Sequence, residues 1–370
     1  MTDTSSNTHL EARYSNVLAR LFFKSVFENQ WVIQPPPPAW VLKVLGWYER
    51  SCMKVDLSGI DIDRPVFILS LPRCGSSMLQ DVLCTHPDLA YMTNLMDICR
   101  DGSICAAEHF RRRFGMNIRG ERFLKDSVLV DGGSPADPVA TWADFFEEDY
   151  FDVNVEIPGA AEVSDELRDR VQQRVKEVLW TFGLPPRRFF CKTPMLLPYA
   201  SALKGIFPDA KFIHLLRDPR QGVNSMLKIH RICNEQLRAI HARRGKPAPE
   251  REFVPYPRLP KLAEYLERYG SNDLRTTAHL WNDAIDYIDS VRGFLGDDLY
   301  ELTYESICAD PRGALEGLWD FCELNTDAGR NQALDAKIAG VGVIHHRNDY
   351  HDFEQIETIC GDRMSRYGYF

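Results

Sequence analysis

The chain has 370 residues, 44% hydrophobic and 26% charged, which is ordinary water-soluble globular material and within range for one elaborated α/β domain. A net charge of −9 argues against a broad nucleic-acid surface, so an anionic ligand must meet a local basic pocket. Ten cysteines with no CxxC pair make a zinc ribbon a poor reading, and no apolar run reaches the length of a membrane span, so a reducing, cytoplasmic setting is expected.

The opening residues are polar, with no secretory apolar core. Apolar residues from Leu10 to Trp31 recur at helical spacing, Pro35 to Pro38 close that helix, and a second helix is predicted from Trp40 to about Met53. These helices form an expected extension, residues 1–60, ahead of an α/β domain spanning 61–370, and they are expected to pack on their own domain.

Val66 to Leu69 form an uncharged apolar run of strand length. Pro72-Arg73-Cys74-Gly75-Ser76-Ser77 follows, then a helix carrying Met78, Leu79, Val82 and Leu83. Gly75 permits a turn closed to other residues, and Ser76 or Ser77 is the expected N-cap. A strand, a glycine loop and a helix N-terminus make an anion site, because free N–H groups and the helix dipole converge there. Arg73 adds forked donors suited to phosphate or sulfate. The loop is no Walker A motif, since no Gly-Lys-Ser/Thr follows at the required spacing. Cys74 reads as a small residue fitting a tight loop.

His86-Pro87-Asp88 ends the first helix. Residues 90–135 have a mixed pattern, in which Arg111 to Arg113 read as a solvated helix face and Asp131 to Pro135 as a turn cluster. Helices are predicted from Pro138 to Tyr150 and Ser164 to Thr181. A strand at 188–193, a helix at 194–207, a strand at 211–216 and a helix to about Ile232 follow. That alternation predicts a central parallel sheet with helices on both faces. Residues 233–262, rich in Arg, Pro and Lys, read as an inserted flap. A helix at 272–294, a strand at 299–303, a helix at 311–324 and a final helix complete the chain.

Ligands of an open parallel sheet sit beyond the carboxyl ends of its strands. Three predicted strands end there in a cation: Arg73, Lys192 and Arg217. Ser225, eight residues after Arg217, falls two helical turns on and can point back at the same ligand. Two anion sites across strand ends suit a nucleotide with phosphate at both ends of its ribose.

The set Pro72-Arg73-Cys74-Gly75-Ser76-Ser77-Met78, followed by Arg217 and Ser225, resembles the sulfotransferases that use 3′-phosphoadenosine 5′-phosphosulfate (PAPS). Phe207 to Arg220, Thr303-Tyr304-Glu305 with Asp310-Pro311, and Arg366 to Tyr369 look like the bacterial-type branch. The resemblance implies a P-loop-like nucleotide-binding core. Arg73 to Met78 would cradle the 5′-phosphosulfate, and Arg217 and Ser225 would hold the 3′-phosphate. Arg347, with His345, sits where the family brings C-terminal basic residues over the nucleotide. The implied reaction is in-line transfer of a sulfonate group from PAPS to a hydroxyl or amine of a small-molecule, lipid or carbohydrate acceptor, with no metal. Arg73 would stabilise charge on the bridging oxygen, and Lys192 would contact the transferred group. Pro194 stands where cytosolic relatives carry a histidine base. Asp97 is the first alternative for that base, with His86 and His109 behind it. A P-loop nucleotide kinase or NTPase and a sulfotransferase fold without activity are the rival readings. The sequence leaves the acceptor and the oligomeric state open.

Overall fold

The computed structural model describes residues 13–17, 19–20, 35–115, 117–121, 129–183, 187–342 and 350–370. The chain divides into two compact units, whose first boundary, after Val55, lies near the expected cut at residue 60. One combines Met1–Val55, Thr93–Ser134 and Glu235–Pro249, the other Asp56–Met92, Pro135–Asn234 and Glu250–Phe370.

The larger unit is built on five parallel strands: β1 (Val66–Ser70), β2 (Leu89–Tyr91), β3 (Arg188–Lys192), β4 (Lys211–Leu216) and β5 (Leu299–Thr303). Their spatial order is β2-β3-β1-β4-β5. All five residues of β1 are buried, as an uninterrupted apolar run at the centre of a parallel sheet requires. Val66 to Ile68 pair with Phe190 to Lys192 on one side, and Val66 to Ser70 with Lys211 to Leu215 on the other. The chain leaves β1 for one edge, returns through β3, and crosses to β4 and β5. Winding therefore changes direction beside β1, which is where an open α/β sheet leaves a crevice at its carboxyl ends.

Alternation along each strand sends side chains to opposite faces. Phe67 packs against Phe189, Phe212, Phe207 and Trp142 on one face. Val66, Ile68, Phe190, Ile213 and Leu215 join the main apolar core on the other. The helices that matter for the site are α1 (Ser76–Leu83), α2 (Val139–Phe145), α3 (Pro219–Arg243), α4 (Leu274–Leu295) and α5 (Tyr304–Ala309). Trp142, on α2, and Trp281, on α4, are both core residues.

Three expectations need correction. The helix expected to stop at Ile232 runs to Arg243, because Cys233, Leu237 and Ile240 continue its buried stripe. The first third of the expected flap is therefore helical, and Leu262–Tyr269 is a helix at its far end. The predicted helix from Leu10 is interrupted at once: Arg13–Tyr14 pair antiparallel with Ile118 and Arg119. Helical residues start only after Asn16, whose Oδ1 accepts from the Ala19 N–H at 2.9 Å; most of that expected helix lies outside the described residues. The smaller unit also holds helices Ala39–Tyr48, Asn94–Ile98 and Ile104–Arg113 around a core of Val41, Leu45, Leu95, Ile98, Ala106 and Ala107. Among the described residues, no helix is long and apolar enough to cross a membrane.

Candidate functional site

The turn after β1 holds two left-handed residues, Arg73 at φ 71° and Gly75 at φ 87°. Gly75 itself occupies the cap position of α1, and Ser76 and Ser77 are the first helical residues, so the expected serine N-cap is displaced by one. Glycine is needed there twice over. Its φ disfavours any other residue, and an added Cβ would lie 2.3 Å from the Tyr304 ring. The first N–H groups of α1 consequently face the loop without helical acceptors. Cys74 is buried, and burial pushes its thiol up to about 12, so it stays protonated and fills space.

The two anion sites expected to be separate abut. Arg73 Nε donates to Ser225 Oγ at 2.9 Å, joining the loop after β1 to the second turn of α3. Arg217, immediately after β4, donates through Nη1 to the Arg73 carbonyl at 3.0 Å and through Nη2 to Gln221 Oε1 at 2.6 Å. Its guanidinium lies 4.5 Å from the Tyr304 ring centroid, and Trp281 donates to its carbonyl at 3.2 Å. Tyr304 thus touches both the glycine and the arginine, so one ring sets the spacing between the two cationic positions.

Behind this arrangement, Glu305 accepts from the Asp218 N–H at 3.1 Å and from the Tyr369 hydroxyl at 3.4 Å. Arg220 is paired with Asp218 and donates to the Tyr369 carbonyl at 2.8 Å. The Thr303-Tyr304-Glu305 and C-terminal motifs therefore brace the strand-end arginine.

Lys192 ends β3 next to β1. It is almost fully buried, and its Nζ lies 2.9 Å from Asp137 Oδ2. Asp137 was not singled out from the sequence, where it falls between the turn cluster ending at Pro135 and the helix predicted from Pro138. Its side chain is 43% exposed, and Oδ1 takes no hydrogen bond among the described residues. The backbone beside it is fixed: buried Gln80 of α1 donates to the Ala136 carbonyl at 2.7 Å, and the Ala136 N–H donates to Met92 O at 2.9 Å.

Three adjacent strands also end in a buried donor with no partner among the described residues: Ser70 Oγ in β1, Thr193 Oγ1 after β3, and Arg217 Nε after β4. A buried donor left unsatisfied costs about 1–3 kcal/mol, so these strand ends carry a local stability cost. Among the described residues, no group of His, Cys, Asp and Glu is arranged to hold a metal ion.

The remaining candidates have these surroundings. Asp97 belongs to the short helix Asn94–Ile98 of the smaller unit. His109, in the same unit, has Nε2 3.2 Å from the Tyr48 hydroxyl. His86 is buried. Its Nε2 donates to the Asn325 carbonyl at 3.0 Å and Nδ1 accepts from the Asp88 N–H at 3.1 Å, so both ring nitrogens are structurally engaged. Of the expected basic triplet, Arg111 and Arg112 bind buried Glu108 at 2.6 and 2.7 Å. Arg347 and His345 lie outside the described residues.

No curated protein matches the chain. Among solved structures, it is similar to the sulfotransferase STF9 from Mycobacterium avium, with 14% identity over 87% of this chain and 81% of that one and a TM-score of 0.53. The sulfotransferase STF1 from Mycobacterium tuberculosis H37Rv also matches, with 12% identity over 87% of this chain and 82% of that one and a TM-score of 0.41. Mouse sulfotransferase SULT7A1, complexed with PAP, matches at 15% identity over 76% and 66% of the two chains, with a TM-score of 0.33. The five-stranded parallel sheet flanked by helices is the fold shared with STF9. The model of the sulfotransferase family covers residues 65–249, half of the sequence, including the glycine loop, Lys192, Arg217 and Ser225, and on that match the chain belongs to the sulfotransferase family.

Proposed function

We propose that the protein transfers a sulfonate group from PAPS to a hydroxyl or amine of a small-molecule, lipid or carbohydrate acceptor. The observation that carries this is the joined set of Arg73, Ser225 and Arg217 at the carboxyl ends of β1 and β4, with the N-terminus of α1 beside it. Backbone N–H groups of residues 75–78 would receive the 5′ end of the donor, with Arg73 facing the oxygen that gains charge as it departs. Arg217 and Ser225 would hold the 3′-phosphate. Lys192 would meet the negative charge on the transferred group. Fixed cations and N–H groups that await developing charge lower the barrier without reorganisation. A guanidinium holds its proton throughout, so Arg73 would act by charge alone. Ten free thiols fit a cytoplasmic location.

Calorimetric titration of the native protein with 3′-phosphoadenosine 5′-phosphate (PAP) tests the proposal. Micromolar binding, weakened by Arg217→Ala, is expected. Absence of binding at micromolar concentrations would remove the donor assignment.

A further inference from the structure

We propose that Asp137 is the general base that takes the proton from the acceptor. This rests on the sulfotransferase reading above and assigns a step which that reading leaves without a residue. Pro194, two positions beyond Lys192, has no atom able to accept a proton. A base is nevertheless needed wherever the acceptor is an un-ionised hydroxyl.

Asp137 meets the geometric requirements on its own unit. One carboxylate oxygen is fixed by Lys192 Nζ at 2.9 Å, and Lys192 closes the strand paired directly with β1. The other oxygen is open, on a side chain 43% exposed, while the lysine holding it is buried. A base needs this combination: rigidity from a buried partner and one lone-pair-bearing atom left accessible. Gln80 secures the loop from the helix that Gly75 caps, so the base and the glycine loop are tied to the same element.

In the step itself, the acceptor O–H bond breaks and its proton passes to Asp137 Oδ1. The acceptor oxygen bonds to sulfur, and the S–O bond to the 5′-phosphate breaks with its electron pair leaving on PAP. Lys192 is then adjacent both to the carboxylate and to the transferred group. It fixes the position of Asp137 before the transfer and opposes the charge gathered during it.

The test uses two probe acceptors that need no knowledge of the natural one. Water is the first: hydrolysis of PAPS to PAP and sulfate requires removal of a proton. The second is 4-nitrophenol at pH 8.5, already ionised and in no need of a base. Asp137→Asn should bind PAP within about twofold of the native protein, lose about 10²-fold or more in PAPS hydrolysis, and lose less than about fivefold with 4-nitrophenol. The acid limb of the hydrolysis pH profile should vanish in the Asn variant and return, shifted, in Asp137→Glu. Equal losses with both acceptors, or hydrolysis unchanged, would overturn the assignment even with PAP affinity intact. Failure of the native protein to bind PAP would instead overturn the donor reading on which it rests.

Discussion

Arg73, in the loop after β1, and Lys192, at the end of neighbouring β3, stand over one sheet, where a hydroxyl meets the first and a carboxylate the second. Arg73 gives Nε to a neutral hydroxyl, Ser225, and takes Arg217 on its own carbonyl. Lys192 is bonded to a carboxylate. A hydroxyl fixes the direction of the guanidinium Nε, which suits a ligand whose phosphate must be met in one place. A carboxylate offsets an ammonium and makes a pair able to accept a proton and to polarise a group together. The β1–β4 side of the crevice is thus built to hold charge, and the β3 side to handle a proton.

The largest expected effect comes from breaking the β3 side. Lys192→Ala removes both the cation facing the transferred group and the anchor of Asp137. Turnover should fall by about 10³-fold, roughly 4 kcal/mol of transition-state stabilisation, while PAP affinity changes by less than about threefold. Single-turnover kinetics with PAPS, alongside PAP calorimetry, separates the two quantities. A matching loss of affinity would mean that both strand ends bind the nucleotide and that the division between them fails.

Testing the proton-handling side by pH requires knowing how the fold itself responds. His230, buried in α3, is pulled down by burial to about 4 and donates Nδ1–H to the Ser271 carbonyl at 3.2 Å. Its folded value lies below its unfolded one, so its contribution is fully present above pH 6.5. From there down to about 4 the unfolded chain binds a proton that the folded chain refuses, and stability on the order of 3 kcal/mol is lost. Glu252 lies close enough to offset part of this. Chemical denaturation at a series of pH values should show the slope, and His230→Asn, which keeps a donor but cannot take the charge, should flatten it. Rate profiles meant to titrate Asp137 are best taken where that slope leaves the protein folded.

The β1–β4 side breaks through its backbone. Gly75→Ala sets a Cβ against the Tyr304 ring at a φ of +87°. A cost of about 2 kcal/mol in stability is expected, with weaker PAP binding. The double variant Gly75→Ala with Tyr304→Ala relieves only the clash, so it should recover part of the stability and none of the arginine stacking. Full recovery of PAP affinity would show that Tyr304 does not set the spacing of the two cations.

The unequal legibility of the two sides has a physical cause. The glycine loop is contiguous: a run of four apolar residues, a turn-forming glycine and a helix start all follow from local rules, and β1 and β4 appear within a residue of their expected bounds. Arg217 and Ser225 sit on one strand–helix step, so their spacing alone predicted convergence. The Lys192–Asp137 pair joins residues 55 apart in sequence through the fold, and nothing local distinguishes Asp137 from other turn aspartates. The strand Leu89–Tyr91 was hidden for a related reason. Three residues at a sheet edge are too short for periodicity and exist because β3 is there to pair with. The start of the helix expected from Leu10 erred in the opposite direction, since Arg13 and Tyr14 find strand partners more than a hundred residues away.

The smallest effect is the sharpest test of the contrast. Ser225→Ala deletes one hydroxyl, 3% exposed, which accepts from Arg73 Nε. If Ser225 mainly orients Arg73, its loss costs the net value of one charge-assisted hydrogen bond, and PAP affinity should fall by about tenfold. If Ser225 also bonds the 3′-phosphate, the loss persists when Arg73 is already altered. A double-mutant cycle with Arg73→Lys distinguishes these, because lysine keeps the charge but lacks the Nε that meets the hydroxyl. A Ser225→Ala effect that disappears in the Arg73→Lys background assigns the serine to the arginine. An undiminished effect assigns it to the nucleotide, and the two cationic positions then bind their phosphates independently despite touching.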